Sequence, residues 1–195
     1  MPDIKLAALL SFVLILIPKF CSSQPFSHLV IGGSLQDVSF LNEKYSSNWT
    51  LTNGYSISAH TPFYVGTIGL QVNKYNYRTI ANQIRAFNFR SVNYSVDFGY
   101  RLRINNYFYV FGAIGTGIQK LTNRYKRPNG YLYTDERELF FLAKFEPQAD
   151  FKYFILFGNI EYRNVLNYYR QQLLFIEGGV RLRFSLPKKL QEFIK

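Results

Sequence analysis

The strongest constraint on the fold of this chain is a two-residue alternation of apolar and polar side chains, which recurs in eight segments. The segment LLFIEGGVRLRF at 173–184 shows it well. One parity there is apolar and the other is charged: Leu174, Ile176, Val180, Leu182 and Phe184 against Glu177, Arg181 and Arg183. Successive side chains of a β-strand point to opposite faces, so a period of two indicates strands. The alternation predicts an all-β protein, but it does not tell which face meets water.

The connections between these segments also follow a pattern. We predict short turns at 60–62, 103–106 and 148–152, longer loops at 37–48, 74–86 and 122–137, and a shorter loop at 166–171. The third strand is predicted to end near Asn73, because Tyr75 and Tyr77 fall on its polar parity, and the fifth is apolar on both parities. Short turns at one end, longer loops at the other and an even strand count are typical of transmembrane barrels. The sequence predicts an eight-stranded antiparallel up-and-down transmembrane β-barrel with both termini in the periplasm.

The first residues have the features of a secretory signal peptide. Lys5 precedes the apolar run LAALLSFVLILI, which is too short to cross a membrane as a helix. With cleavage before Gln24, the predicted units are a signal peptide at 1–23, an outer-membrane barrel at 24–186 and a periplasmic tail at 187–195. The alternative is a lipoprotein acylated on Cys21, although the residues before this cysteine are larger than a lipidation site prefers.

Three observations favour lipid on the outside of the barrel. The segments are about ten residues or longer, which is the length needed to cross a bilayer at a tilt. The polar parity mixes Glu and Arg with Gly, Ser and Asn, as expected of a packed interior. Aromatic residues near the ends of the apolar parity predict an interfacial girdle: Trp49, Tyr64, Tyr100 and Tyr162. A soluble lipocalin-like barrel that binds a ligand is the alternative, because it shows the same alternation with the faces reversed.

A narrow eight-stranded barrel leaves just enough interior room for side chains, so charges inside it need partners. The candidate interior charge network is Asp97, Arg101, Lys144, Glu146, Glu161, Arg163, Glu177, Arg181 and Arg183. One interpretation is a structural plug of salt bridges. The other is a selectivity or ligand site, which the arginines on the last strand would favour for anions.

With these features the chain resembles small porin-like outer-membrane β-barrel proteins of Gram-negative bacteria. The segments GYSISAHTPFYVGTIGL and LPKKLQEFIK are similar to those of barrels from the Bacteroidetes group. The resemblance implies that the last strand is the signal read by the barrel assembly machinery, carried by Ile176, Val180, Leu182 and Phe184, with Gly178 as an interruption. The tail after Phe184 departs from the family pattern, in which the aromatic residue ends the chain.

The net charge of +11 raises the question of an anionic partner. Basic residues in the predicted outward loops are Arg78, Arg124, Lys126 and Arg127. For loops on the outside of an outer membrane, the phosphates of lipopolysaccharide are a nearer partner than nucleic acid. The expected partners are therefore outer-membrane lipid and lipopolysaccharide, and no nucleic acid is expected.

No catalytic motif accompanies this architecture. The chain has two histidines, His28 and His60, and both are predicted on the periplasmic side, away from the outer edge where a lipid A-modifying enzyme works. We expect no cofactor and no metal ion. The leading functional prediction is a structural or interaction role, or a narrow porin-like channel, without catalysis. The alternatives are a lipid A-modifying enzyme and an accessory barrel of a secretion or uptake complex.

The tail is predicted to form a short amphipathic helix on the periplasmic membrane surface. Pro187 suits the first turn of a helix, and Leu190, Phe193 and Ile194 recur at spacings of three and four. The alternative is a disordered tail, because so short a helix is marginal by itself.

Overall fold

The computed structural model describes residues 26–80, 88–127, 130–167 and 170–187, and for Lys44, 123–127 and 130–134 it describes the backbone only. Eight strands form one closed barrel in which each strand pairs antiparallel with the next and the last with the first. The strands are β1 (His28–Phe40), β2 (Trp49–Phe63), β3 (Gly66–Thr79), β4 (Phe89–Arg103), β5 (Phe108–Arg127), β6 (Gly130–Asp150), β7 (Phe154–Val165) and β8 (Gln172–Ser185). A short helix α1 (Glu43–Ser46) follows β1. The predicted eight-stranded all-β barrel is confirmed.

Two predictions fall on parts of the chain that lie outside the described residues. These are the signal peptide at 1–23 and the amphipathic helix of the tail, of which only Pro187 is described. Both stay predictions. No helix within the described ranges is long and apolar enough to cross a membrane.

The two parities of the sequence alternation correspond to the inner and the outer face of the barrel. On β8, Glu177 and Arg181 are buried inside the barrel, while Ile176, Val180 and Leu182 are exposed on its outer wall. On β5, where the sequence left the phase undecided, the inward residues include Phe111, Ala113 and Gln119. Charge on one parity and apolar groups on the other therefore reflect a polar interior and an apolar exterior.

Short turns lie at one end of the barrel, here called the turn end, together with the start of β1 and the end of β8. They span 64–65, 104–107 and 151–153. The opposite end, the loop end, carries the connections at 41–48, 80–88, 128–129 and 166–171. Residues 60–62 were predicted as a turn but belong to β2, because the chain keeps pairing with β3 as far as Phe63 and Gly66.

The predicted loop at 122–137 is wrong. β5 and β6 pair without interruption up to Arg127 and Gly130, and so form a hairpin that extends beyond its neighbours. A strand alternates in sequence only where its two faces meet different surroundings, and the sequence of this hairpin does not alternate. Arg124, Lys126 and Arg127 therefore lie in a strand, and so does Arg78 in β3.

The predicted end of the third strand near Asn73 is also wrong, since β3 continues to Thr79. Tyr75 and Tyr77 stay on the inward parity and are buried. The same alternate positions of β3 point inward along its whole length. What changes along the strand is the kind of side chain on each face. Towards the loop end the interior of the barrel becomes aromatic and the outer face becomes polar.

A β-bulge in β2 corrects one further prediction. The register with β3 shifts between Thr52 and Tyr55, which places one extra residue on β2 and inverts its faces above this point. Trp49 and Leu51 consequently pack against the inner apolar cluster, while Tyr55 is exposed outside. Trp49 is therefore not part of an outer aromatic girdle, whereas Tyr64 and Tyr162 are exposed on the outer surface.

Candidate functional site

The middle of the barrel interior is organised around Lys144, whose side chain is almost fully buried. Its Nζ lies 2.7 Å from Asp97 Oδ2 and 3.5 Å from Glu161 Oε2, and it donates to the side-chain oxygen of Gln71. Gln71 in turn donates to Glu177 Oε1 over 3.2 Å. β3, β4, β6, β7 and β8 each contribute one group, so this cluster ties together strands that are not neighbours in the wall.

A second cluster of charges lies nearer the turn end. Arg181 forms a bidentate pair with Glu146, with Nη2 2.8 Å from Oε2, and stacks on Phe157 with its Cζ 3.7 Å from the ring centroid. Arg101 and Arg183 share one carboxylate, because each places its Nη2 2.6 Å from Asp150 Oδ2. Bidentate and charge-assisted contacts of this kind are the strong hydrogen bonds of proteins.

Arg163 marks the boundary between this polar region and an apolar one. It pairs with Glu161 and is fully buried. Above it lies a cluster of apolar and aromatic side chains, here called the apolar plug: Val38, Tyr75, Tyr77, Phe140, Leu142, Val165, Leu173 and Phe175. The plug fills the interior towards the loop end, so the barrel is packed in both halves.

All nine residues of the sequence-predicted charge network point into the barrel. The sequence missed Asp150, which it assigned to a turn, although this residue shares the inward parity of Lys144, Glu146 and Gln148 on β6. With Asp150, the part of the described interior below the apolar plug carries five acidic and five basic side chains: Asp97, Glu146, Asp150, Glu161 and Glu177 with Arg101, Lys144, Arg163, Arg181 and Arg183. This polar region is therefore balanced in charge, and the basic surplus of the protein lies elsewhere.

The two histidines lie near the turn end. His28 begins β1, with its Nδ1 3.0 Å from Ser27 Oγ. His60 does not lie in a turn as predicted; it points inward from β2, and its ring centroid lies 5.9 Å from that of Phe111. The interior contact arises because β2 extends to Phe63. Within the described residues there is no cluster of three or more His, Cys, Asp or Glu side chains arranged to hold a metal ion.

The outer face of the barrel is an apolar belt. Leu35 is 76% exposed and Ile114 is 72% exposed, and large apolar side chains are exposed on all eight strands. Soluble proteins rarely expose so continuous an apolar surface, whereas the hydrocarbon core of a bilayer requires it of a closed barrel. The protein is a transmembrane barrel, and a soluble lipocalin-like barrel is excluded.

The four residues of the predicted assembly signal lie in this belt on β8. Ile176, Val180, Leu182 and Phe184 all point outward, with exposed fractions between 44% and 56%. Their place beside β1 puts them at the seam where the last strand closes the barrel onto the first. Recognition by an assembly machinery stays a prediction.

On one side of the barrel the belt ends in basic residues. On each of the neighbouring strands β3 to β6, the outward residue after the apolar run towards the loop end is Lys or Arg: Lys74 after Val72, Arg90 after Val92, Lys120 after Ile118 and Arg137 after Leu139. Arg78 follows further along β3 and lines a groove together with Arg90. These five residues are called the basic rim. The outward positions of β7, β8, β1 and β2, all of them described, carry no Lys or Arg.

Within the basic rim, like charges lie side by side. Lys120 pairs in register with Arg137, and Val92 separates Lys120 from Lys74 in the same row. One acidic residue relieves this repulsion: Asp135, on the exposed part of β6 beyond the belt, lies 2.7 Å from Lys120 Nζ. The hydrogen bond from Lys120 lowers the pKa of the Asp135 carboxyl. Like charges directly opposite each other across two strands are destabilising, so the rim favours a bound anion.

No protein-family model matches the chain, and no curated protein matches it in sequence. Solved structures do match its fold. The attachment invasion locus protein Ail of Yersinia pestis, in complex with the heparin analogue sucrose octasulfate, is 18% identical with a TM-score of 0.54, over 83% of this chain and 100% of that chain. Neisserial surface protein A (NspA) is 10% identical with a TM-score of 0.60 over the same shares of the two chains. Neither likeness tests the Bacteroidetes-type resemblance. The chain has the fold of the small eight-stranded barrels of Gram-negative outer membranes.

Proposed function

We propose that this protein is a closed, non-catalytic barrel of the outer membrane that associates on one side with the phosphate groups of lipopolysaccharide. The observation that carries the proposal is the basic rim, which borders the apolar belt on β3 to β6 alone. In this arrangement the loop end faces outward from the cell and the turn end faces the periplasm, as in transmembrane barrels generally.

A closed interior argues for a structural or interaction role rather than a narrow porin-like channel. Ion conduction needs a continuous polar path that is wide enough for a hydrated or partly hydrated ion. Phe140 and Phe175 in the apolar plug are fully buried, and so are Glu161 and Arg163 just below them. Each of the five basic side chains below the plug lies beside a carboxylate, so these charges serve stability and leave no row of free arginines to select anions.

The basic rim suits phosphates at the level of the lipid headgroups. Positions immediately beyond the belt lie where the hydrocarbon core gives way to the headgroup region. The groove between Arg78 and Arg90 is open and lined by Asn76, Asn88 and Thr122, which adds hydrogen-bonding groups to two guanidinium groups. Arginine binds phosphate in a bidentate manner. The complex of Ail with a sulfated sugar analogue supports binding of an acidic saccharide by a barrel of this fold.

Absence of catalysis is part of the proposal. A lipid A-modifying enzyme places its reactive groups near the outer edge of the membrane, and both described histidines lie near the turn end. His60 is also enclosed by the barrel interior and packs against Phe111. Mass spectrometry of lipid A from a deletion strain is expected to match that of the parent strain, and a changed acylation pattern would overturn this part.

Stabilisation by added lipopolysaccharide tests the binding proposal. The purified barrel in a non-ionic detergent is titrated with lipopolysaccharide while its melting temperature is measured. The double variant Arg78→Gln/Arg90→Gln is expected to lose most of the rise in melting temperature, because both guanidinium groups of the groove are gone. The matched control Arg103→Gln/Lys152→Gln removes two positive charges near the turn end and is expected to respond like the wild type.

Two further outcomes separate phosphate recognition from general charge attraction. Lipid A from which the phosphates have been removed is expected to give a much smaller rise with the wild-type protein. Equal responses of the two double variants, or an equal effect of dephosphorylated lipid A, would contradict the proposal.

A further inference from the structure

The loop end of the barrel holds an aromatic cup above the apolar plug. One wall of the cup consists of Tyr45, Trp49, Phe89 and Tyr77, which follow one another at ring-centroid distances of 6.1, 6.0 and 6.2 Å. The cavity that they line has a volume of about 280 Å³ and opens at the loop end. The cup is thus large enough for a small molecule and presents several ring faces and edges to it.

The opposite wall of the cup is acidic. Glu136 and Glu138 line it from β6, on the same parity as the buried Phe140. Glu138 Oε2 accepts a hydrogen bond of 3.2 Å from Gln119 Nε2, and neither glutamate takes part in an ion pair among the described residues. The lysine and arginine nearest in sequence and register, Lys120 and Arg137, belong to the basic rim and point outward.

This combination contrasts with the rest of the protein. The chain carries a net charge of +11, yet among the described residues that line the cup the two charged ones are both acidic. Aromatic faces attract cations through their quadrupoles, and carboxylates add a full charge. The two carboxylates would repel an anion. A neutral apolar molecule would remove water from the carboxylates without forming new hydrogen bonds to them, which disfavours its binding.

We propose that the aromatic cup binds a small organic ammonium ion, with the ammonium group between the glutamates and the aromatic wall. Recognition of ammonium groups by aromatic cages is a common use of cation–π contacts. The site is separate from the basic rim, since it faces the barrel axis whereas the rim faces the lipid. Its occupancy does not depend on the proposed association with lipopolysaccharide.

The single tryptophan of the chain makes the test direct. Trp49 lies in the wall of the cup, so the intrinsic tryptophan fluorescence of the protein reports on this site alone. The full-length protein is purified in a maltoside detergent, which carries no ammonium group, and is titrated with choline. A saturable change in fluorescence is expected, with a midpoint on the order of 1 mM or lower. The neutral isostere 3,3-dimethylbutan-1-ol has the same shape without the charge and is expected to give no saturable change over the same range.

Variants on β6 supply the matched comparison. Glu136→Gln/Glu138→Gln keeps the shape of the wall and is expected to weaken choline binding by about tenfold or more, because both carboxylates are lost. Asp135→Asn removes a negative charge from the same strand on its outer face and is expected to bind as the wild type does. Heat-modifiable migration on a gel checks that each variant is folded.

The outcomes decide the proposal in either direction. Equal titrations with choline and its neutral isostere, no saturable signal with the wild type, or unchanged binding by the double glutamine variant would each overturn it. Parallel titrations with spermidine and with Nα-acetyl-lysinamide identify the source of the ammonium group. Tighter binding of spermidine assigns a free polyamine, tighter binding of acetyl-lysinamide assigns a lysine side chain of a partner protein, and tighter binding of choline assigns a quaternary headgroup.

Discussion

The guanidinium carbon of Arg163 lies 4.1 Å from the ring centroid of Phe175, and this contact joins the two halves of the barrel interior. The same carbon lies 4.3 Å from the ring centroid of Phe140. Arg163 also pairs with Glu161, which faces Lys144 in the central charge cluster. One side chain therefore contacts both the polar network and the apolar plug, and both depend on its position.

Replacement of Arg163 by methionine is expected to destabilise the barrel strongly. The substitution keeps much of the side-chain volume but leaves Glu161 in a buried site with Lys144 as its remaining cation. Removal of one partner from a buried ion pair costs about 3 to 5 kcal/mol. Urea-induced unfolding of the barrel reconstituted in lipid vesicles measures the loss. Arg90→Met, which removes an exposed arginine of the basic rim, is the matched control and is expected to change stability by roughly 1 kcal/mol or less.

The double variant Glu161→Gln/Arg163→Met tests the reason for that loss. Because both charges of the ion pair are removed, the double variant is expected to be more stable than Arg163→Met alone. A double variant as unstable as the sum of the two single substitutions would show that the ion pair is not the source of the effect.

The barrel is expected to be electrically silent. The apolar plug and the paired charges below it leave no continuous water path through the described interior. Planar lipid bilayers that contain the purified protein should show no single-channel steps at moderate voltages, under conditions in which a general porin conducts. Reproducible, protein-dependent steps of uniform size would contradict a closed interior.

Gly99 is expected to tolerate no side chain. It points into the barrel from β4, and a Cβ at this position would overlap the ring of Phe111 on β5. Forced overpacking of this kind costs about 1 to 3 kcal/mol, so Gly99→Ala should lower stability by such an amount in urea unfolding. Gly112→Ala is the control, because no atom lies within 4 Å of its added Cβ. Equal stabilities of the two variants would show that the interior at Phe111 adjusts freely.

Phe184 is expected to matter more for assembly than for stability. It lies on the outer face of β8 near the turn end, 49% exposed, as the last aromatic residue of the predicted assembly signal. Phe184→Ala should reduce the amount of folded barrel in the outer membrane, measured as the heat-modifiable fraction after membrane isolation. Phe145→Ala removes an outward phenylalanine of similar exposure from β6, and it is expected to assemble normally. A similar loss in both variants would assign the effect to the apolar belt in general.

Residue parity alone determined much of this protein. Because side chains alternate along every strand, the sequence placed Asp97, Lys144 and Glu161 on the inner face and Leu182 on the outer face, and the structure agrees. Eight such segments with turn residues between them also determined the closed antiparallel barrel. Local physics suffices for these features, since the period of two and the chemistry of turns belong to short stretches of chain.

Other features were decided by the tertiary structure alone. In the sequence, Tyr75 and Tyr77 interrupt the alternation of polar and apolar residues. In the structure they point inward, because the interior of the barrel changes from polar to aromatic towards the loop end. The bulge in β2 turned Trp49 inward, and the register between β5 and β6 extended a predicted loop into a hairpin. The basic rim forms because register aligns Lys74 with Arg137 across three strand pairs. Alternation within a strand determines which face of the barrel a side chain occupies. The position of that side chain along the barrel axis, relative to residues of other strands, depends on the register, and only the paired, closed barrel determines the register.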